Sequence, residues 1–316
     1  MNFRLQIPIS NSDFPIDYHS KIMSLGSCFA VNMSDKFNYY KFGNSCNPFG
    51  IIFNPVSIEK LIQRCVNKDY FTDAAIFFHN DLWHCFEVHS ELSNPNKEAL
   101  LFDLNTILDG FYKNISEATH CIITLGTAWV YRNLESNEIV ANCHKVPQKQ
   151  FSKEILSVET IQNAIQNSIE TIRKINPNCN FIFTVSPVRH IKDGFVENTL
   201  SKAHLITAIH QVVTLNWSKC FYFPSYEIMM DELRDYRFYT PDMLHPNSVA
   251  VDYIWERFTE SNMSEKTFVT MKEIGSIQSG LQHRSFNPES ESHQQFLAKL
   301  HYRMAILQKQ FPQISF

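Results

Sequence analysis

Short apolar runs alternate along this chain with longer stretches in which apolar residues recur every three or four positions. The runs are Lys21–Gly26 (with Ile22, Met23 and Leu25), Cys121–Gly126, Phe181–Val185 and Cys220–Phe223. Their length and their β-branched and aromatic content predict strands buried on both faces. The periodic stretches carry Phe29, Met33 and Phe37; Leu100, Leu104, Leu108 and Phe111; Ile161, Ile165, Ile169 and Ile172; Leu205, Ala208, Ile209 and Val212; and Val251, Ile254, Trp255 and Phe258. Each is the stripe of one helix face. Strands buried on both sides and alternating with helices predict an α/β fold: a three-layer α/β/α arrangement around a mostly parallel, doubly wound sheet. Residues Phe42–Pro55, punctuated by Gly43, Asn47-Pro48 and Gly50, read as a loop. The aromatic and histidine-rich piece from Phe77 to His89 follows neither period.

The segment at about 56–117 is expected as an insertion after the first βα unit of a domain spanning 1–260. Beyond Phe258 the pattern weakens, and 285–292 is polar and linker-like. A last helix over roughly Gln294–Gln310 then carries Phe296, Leu297, Leu300, Met304 and Leu307. Residues 261–316 are therefore expected as a helical C-terminal extension.

The 316 residues are 44% hydrophobic and 19% charged with a net charge of −4, which gives a large core and no basic field for nucleic acid. The N-terminal stretch lacks the apolar segment of a secretory signal, and no run is long enough to span a bilayer. A cytoplasmic protein with no membrane partner is expected. Eight cysteines without a CxxC pair then read as reduced thiols, with no disulfide framework. Neither a phosphate loop nor a dinucleotide fingerprint is present, so no nucleotide or redox cofactor is expected. His79, His84 and His89, spaced five apart, do not stack on one helix face, and with His120 and His144 they fit no standard metal site. Phe77, Phe78, Trp83 and Phe86 read as a core cluster, and Arg189-His190 as a solvated loop.

Chemistry is expected at two places. In doubly wound sheets it gathers at the carboxyl ends of the strands. Gly26 ends the first strand there, and Ser27 and Cys28 follow at a helix N-terminus, whose amides favour a thiolate. Ser27 could equally cap that helix. The second place is Asp242-Met243-Leu244-His245-Pro246-Asn247, just before the helix of Val251 to Phe258. Pro246 keeps His245 out of helical geometry. An Asp three residues before a His can hold one ring nitrogen and leave the other free to take a proton.

These residues resemble the SGNH/GDSL hydrolase superfamily and, within it, the GSCFA family. The motif Gly26-Ser27-Cys28-Phe29-Ala30 stands intact. Asn47-Pro48-Phe49-Gly50-Ile51-Ile52-Phe53-Asn54-Pro55, Leu125-Gly126-Thr127-Ala128-Trp129, Cys143-His144-Lys145-Val146-Pro147, Ser186-Pro187-Val188-Arg189 and Asp242–Asn247 follow in order. The resemblance runs from about Lys21 to Phe258. It implies a flavodoxin-like sheet and an acyl-ester hydrolase acting on a small-molecule or carbohydrate ester, through a nucleophile in the first block and an Asp and His in the last.

Matching the family glycine to Gly26 puts Cys28 at the nucleophile's position, with His245 as base and Asp242 orienting it; the rival assignment makes Ser27 the nucleophile. For the oxyanion site the resemblance implies the Gly50 amide, or that of Gly43, and a third-block Asn. This chain has Gly126-Thr127-Ala128 there, and Ala128 carries no side-chain donor; Thr127, Asn47 or His144 would have to stand in. An acyltransferase, or a catalytically weak module binding a glycan or acylated ligand, is the alternative expectation.

Overall fold

The computed structural model describes residues 5–216, 218–284 and 286–316. In chain order its elements are β1 (Lys21–Gly26), α1 (Cys28–Tyr39), β2 (Gly43–Cys46), α2 (Pro55–Val66), β3 (Phe77–His79), β4 (Leu82–His84), α3 (Lys97–Glu117) and β5 (His120–Leu125). Then come β6 (Trp129–Asn133), β7 (Ile139–Val140), β8 (Phe151–Ile155), α4 (Val158–Ile175), β9 (Asn180–Val185), α5 (Phe195–Leu215) and β10 (Cys220–Phe223). A short α6 (Ser225–Glu227) precedes α7 (Ser248–Asn262), α8 (Glu265–Gln282) and α9 (Glu291–Gln310).

Five strands form one parallel sheet in the order β10-β9-β5-β1-β2. Numbered by their own succession, these run 2-1-3-4-5, so the winding reverses between β1 and β5. That reversal opens a crevice at the strands' carboxyl ends. Alternate residues point to opposite faces of a strand. Ile22, Ile122, Ile182 and Phe223 accordingly share a core with the α1 and α7 residues Phe37, Ile254 and Trp255. Met23, Leu25, Ile123, Phe181 and Phe183 pack with α2, α3, α4 and α5 on the other side. The three-layer α/β expectation holds.

Four boundaries differ from the sequence reading. Residues 43–46 form the edge strand β2, paired from Lys21↔Gly43 to Ser24↔Cys46; its Gly-Asn-Ser-Cys content has no strand signature because it is half exposed. The segment at 56–117 is largely the crossover from β2 to β5. Its Ile58, Leu61, Leu104, Leu108 and Phe111 belong to the main core, and the β3–β4 hairpin is its separate piece. A three-stranded antiparallel sheet, β7-β6-β8, stands between β5 and α4, where no element was expected. The tail contains α8 as well as α9, and Met271, Ile274, Ile277, Leu300, Leu307, Phe311 and Ile314 share the core of Phe37 and Trp255. Ser285, at the head of the expected linker, lies outside the described residues, and α9 begins within that stretch at Glu291. Among the described residues no helix is long and apolar enough to cross a membrane.

Candidate active site

The turn after β1 is set by Gly26. Its φ is 129°, and a Cβ there would lie 2.0 Å from the Thr124 carbonyl oxygen on neighbouring β5. Only glycine fits such a conformation and approach. The Ser27 N–H donates to that same Thr124 oxygen (3.0 Å), and the Gly26 N–H donates to Asn47 Oδ1 (2.8 Å). Ser27 is buried, at 1% exposure, and its Oγ accepts from the Phe29 N–H (3.2 Å). It is the N-cap of α1. Cys28 opens the helix and stays half-buried. Of the two candidate nucleophiles, the cap is tied down and the thiol is the reachable one. Burial raises the Cys28 thiol above its ordinary value; the amides of Phe29 and Cys28 and the charge of Lys202 oppose this, and Asp242 adds to it. At neutral pH Cys28 is therefore a thiol that needs a base.

Asp242 and His245 meet as the spacing suggested. His245 Nδ1 donates to Asp242 Oδ2 at 2.6 Å. Asp242 Oδ1 accepts from Thr240 Oγ1 (2.6 Å), the Leu244 N–H (2.9 Å) and the His245 N–H (3.1 Å). These bonds, the Thr240 hydroxyl first, hold the carboxyl far below the usual range, so it stays ionised and only accepts. The proton of a neutral ring then sits on Nδ1, and Nε2 is left as a base. The loop is fixed at both ends: the Thr240 N–H donates to His245 O (2.8 Å) and Asn247 Oδ1 caps α7 at Ala250 N–H (3.1 Å). The Arg189 N–H donates to Leu244 O (3.2 Å), joining the histidine loop to the loop after β9.

Two further groups lie at these strand ends, and one of them, Lys202, was not singled out from sequence. Lys202 on α5 is 1% exposed, and its ammonium donates to Gly126 O (2.7 Å) beyond β5 and Ser186 O (2.8 Å) beyond β9. Burial pulls it down to about 7, while Cys28 acts in the opposite sense. A signal for it existed: Asn198, Ser201 and Lys202 continue the stripe of Leu205, Ile209 and Val212 back along the buried face. His190, expected in a solvated loop, is largely covered instead, with its ring 5.2 Å from that of Phe53 and its Nε2 buried without a partner. Burial, then the charges of Lys202 and His245, bring it down to about 4.

The residues expected around the oxyanion are only partly assembled. The Gly50 N–H donates to Asn47 O (2.8 Å), and a Cβ at Gly50 would strike His89, so this amide is committed to its own turn. Gly126 gives its N–H to Phe53 O (2.9 Å) and its carbonyl to Lys202. The Thr127 hydroxyl is engaged with Ser201 Oγ (2.9 Å) and Trp129 N–H (3.1 Å). Gly43 lies within edge strand β2. Asn47, beside Gly26, retains a buried side-chain N–H group with no partner.

His144 is placed elsewhere. It is 4% exposed, its Nε2 donates to Cys85 O (2.7 Å), and its ring lies 4.8 Å from that of His84. Its part is structural, in the aromatic cluster with Phe77 and Phe86. Burial lowers it to about 4, below the ordinary value of 6.5. The unfolded chain therefore takes up this proton first as pH falls, and stability is lost between about 6.5 and about 4. Urea unfolding across that range is expected to cost wild type up to about 3 kcal/mol more than His144→Gln; parallel losses in both proteins would remove His144 as the cause.

A cleft of about 420 Å³ opens between the β6–β8 sheet and the loop after β9. Its wall includes Phe53, Thr127, Trp129, Tyr131, Phe151 and His190, but neither Cys28 nor His245. Lys153 of β8 pairs with Asp193 at its rim. All eight cysteines are free thiols. Among the described residues no group of three or more His, Cys, Asp or Glu is placed to hold a metal.

Among curated proteins none matches this chain. Two family descriptions do: the GSCFA family over residues 21–258, and the GSCFA domain protein, C-terminal domain, over residues 274–316. The first spans β1 through most of α7, with the Cys28 turn and the histidine loop inside it, and the second spans the second half of α8 and all of α9. The chain belongs to the GSCFA family.

Proposed function

We propose that this chain is an acyl-ester hydrolase related to the SGNH/GDSL enzymes, with Cys28 as nucleophile, His245 as general base and Asp242 as the group that orients His245. The observation that carries this reading is geometric: His245 Nδ1 donates to Asp242 Oδ2 at 2.6 Å, which leaves Nε2 as a base in a loop tied at Leu244 O to the segment after β9. Cys28 follows the carboxyl end of β1, and the histidine loop is bonded to the segment beyond the carboxyl end of β9, which supports a shared site at that edge of the sheet. A 2-1-3-4-5 parallel sheet with the nucleophile after its first strand and an Asp-x-x-His before a late helix also supports the relation.

In this mechanism His245 Nε2 takes the thiol proton as Cys28 Sγ bonds to the ester carbonyl carbon, and the carbonyl electron pair moves onto oxygen. Collapse of that oxyanion breaks the carbon–oxygen ester bond, and the departing alkoxide takes the proton from His245. Water, deprotonated by His245, attacks the thioester; the acid leaves and the thiol is restored. The neutral resting thiol suits this route, because the proton is transferred during attack. The aromatic-walled cleft beside Thr127 and His190 is proposed to hold the non-reacting part of a small-molecule or carbohydrate ester. The eight free thiols fit a reducing compartment such as the cytoplasm.

The test is to incubate the chain with activated acyl esters, quench it in acid and search by mass spectrometry for an acyl group on the Cys28 peptide. We expect a thioester in wild type whose formation slows at least about a hundredfold in His245→Ala. Acylation of any other residue instead, or equal rates in both proteins, would overturn the assignment. A second reading is motivated by Ala128 and by the committed amides of Gly50 and Gly126: a module that binds an acylated ligand without turnover. Saturable ligand binding with no thioester would select it.

A further inference from the structure

Lys202 is a buried amine with no anion bonded to it among the described residues. It ranks among the largest fully buried side chains, and its ammonium touches two backbone carbonyls and the face of Tyr226, 5.4 Å from the ring centre. Among the described residues no carboxylate oxygen lies within 4.0 Å of it. A lone charge in such a place opposes folding, and an apolar residue of similar volume would be the stabilising choice. Carbonyl contacts hold the ammonium in place but leave its charge uncompensated. The Gly126 carbonyl it holds lies two residues past Thr124, whose own carbonyl accepts the Ser27 N–H, so the ammonium sits at the end of β5 beside the turn that carries Cys28, and each group acts on the other's charge.

We infer that Lys202 is the resident counter-charge for the anion that forms at Cys28, clamped at the ends of β5 and β9 so that it is aimed before any substrate arrives. This rests on the proposed reaction for its purpose, though not for its test. In that reaction the anion is first the thiolate and then the adjoining oxyanion. Lys202 would supply by fixed charge part of what a third-block Asn would have supplied by hydrogen bonding at Ala128. The groups acting on Cys28 are Lys202 from α5, Asp242 from the histidine loop and the first amides of α1. Those around Lys202 are Cys28, the Tyr226 ring and His190.

The experiment reads the thiol directly. The full chain is alkylated with iodoacetamide from about pH 6 to about pH 10, and the Cys28 peptide is followed by mass spectrometry. Lys202→Met is expected to move the Cys28 midpoint upward by about one pH unit and to slow alkylation at neutral pH about tenfold. An unchanged midpoint in a Lys202→Met protein that melts cooperatively would overturn the inference, since a merely structural lysine leaves the thiol's titration alone. If that variant does not fold, the reciprocal measurement decides. In ¹³C-lysine-labelled protein, Cys28→Ala is expected to lower the Lys202 midpoint, and no change would overturn the pairing. Coupling without thioester formation from esters would sink the proposed reaction and leave the pair standing; a thioester without coupling would do the reverse.

Discussion

Cys28→Ala is expected to reduce ester turnover by at least about a thousandfold while leaving the urea midpoint nearly unchanged. The thiol is half-buried at the first position of α1, so its loss would remove the proposed nucleophile and only a small packing contact. Ser27→Ala should behave in the opposite way. Its hydroxyl caps α1 from a fully covered position, and removing such a cap costs about 1 kcal/mol without touching the reacting atoms. Steady-state hydrolysis of p-nitrophenyl acetate, run beside urea titrations of both proteins, separates the two roles. If Ser27→Ala loses turnover and Cys28→Ala keeps it, the nucleophile has been misassigned.

Gly26→Ala is expected to cost at least about 3 kcal/mol of stability. Two penalties coincide at this residue: a left-handed φ of 129°, and a Cβ 2.0 Å from the Thr124 carbonyl oxygen in the adjacent strand. Relief would require β1 and β5 to separate where their register is Gly26↔Thr124, at the mouth of the crevice. The same change at Gly43 provides the control, because its added Cβ would meet no atom closer than 3.5 Å. Equal, small losses at both positions would show that the sheet end yields easily, and the turn would lose its standing as a rigid seat for Cys28.

What could be read from sequence followed how strongly burial marks a segment. β1, β5, β9 and β10 are covered on both faces, so their residues are apolar without alternation, and α1, α3, α4 and α7 bury a single stripe. Those elements were legible, as was the Asp242–His245 pair, because its bonds are local. β2 was not, since an edge strand of Gly-Asn-Ser-Cys draws its stability from pairing with β1. The β6–β8 sheet was hidden because half-covered short strands mix Trp129, Val130 and Tyr131 with Arg132 and Asn133. Lys202 shows a different limit: a lysine on a helix reads as solvated, and only its place on the apolar face says otherwise. The supposed oxyanion residues illustrate the reverse error. Gly50, Gly126 and Thr127 sit where sequence order suggested, yet their polar groups are used in holding loops, a matter decided by partners distant in the chain.

The packing of α8 and α9 onto the core of α1 and α7 bears on how the polypeptide is made. Phe311 lies against Tyr18, and the Gln313 side chain donates to the Tyr18 carbonyl, joining positions at opposite ends of the chain. During synthesis one side of the sheet can be roofed as soon as α5 has emerged from the ribosome. The other side stays partly uncovered until Ile314 is free, so the nascent protein carries a greasy, unpaired surface from the emergence of α5 until α9 has followed it.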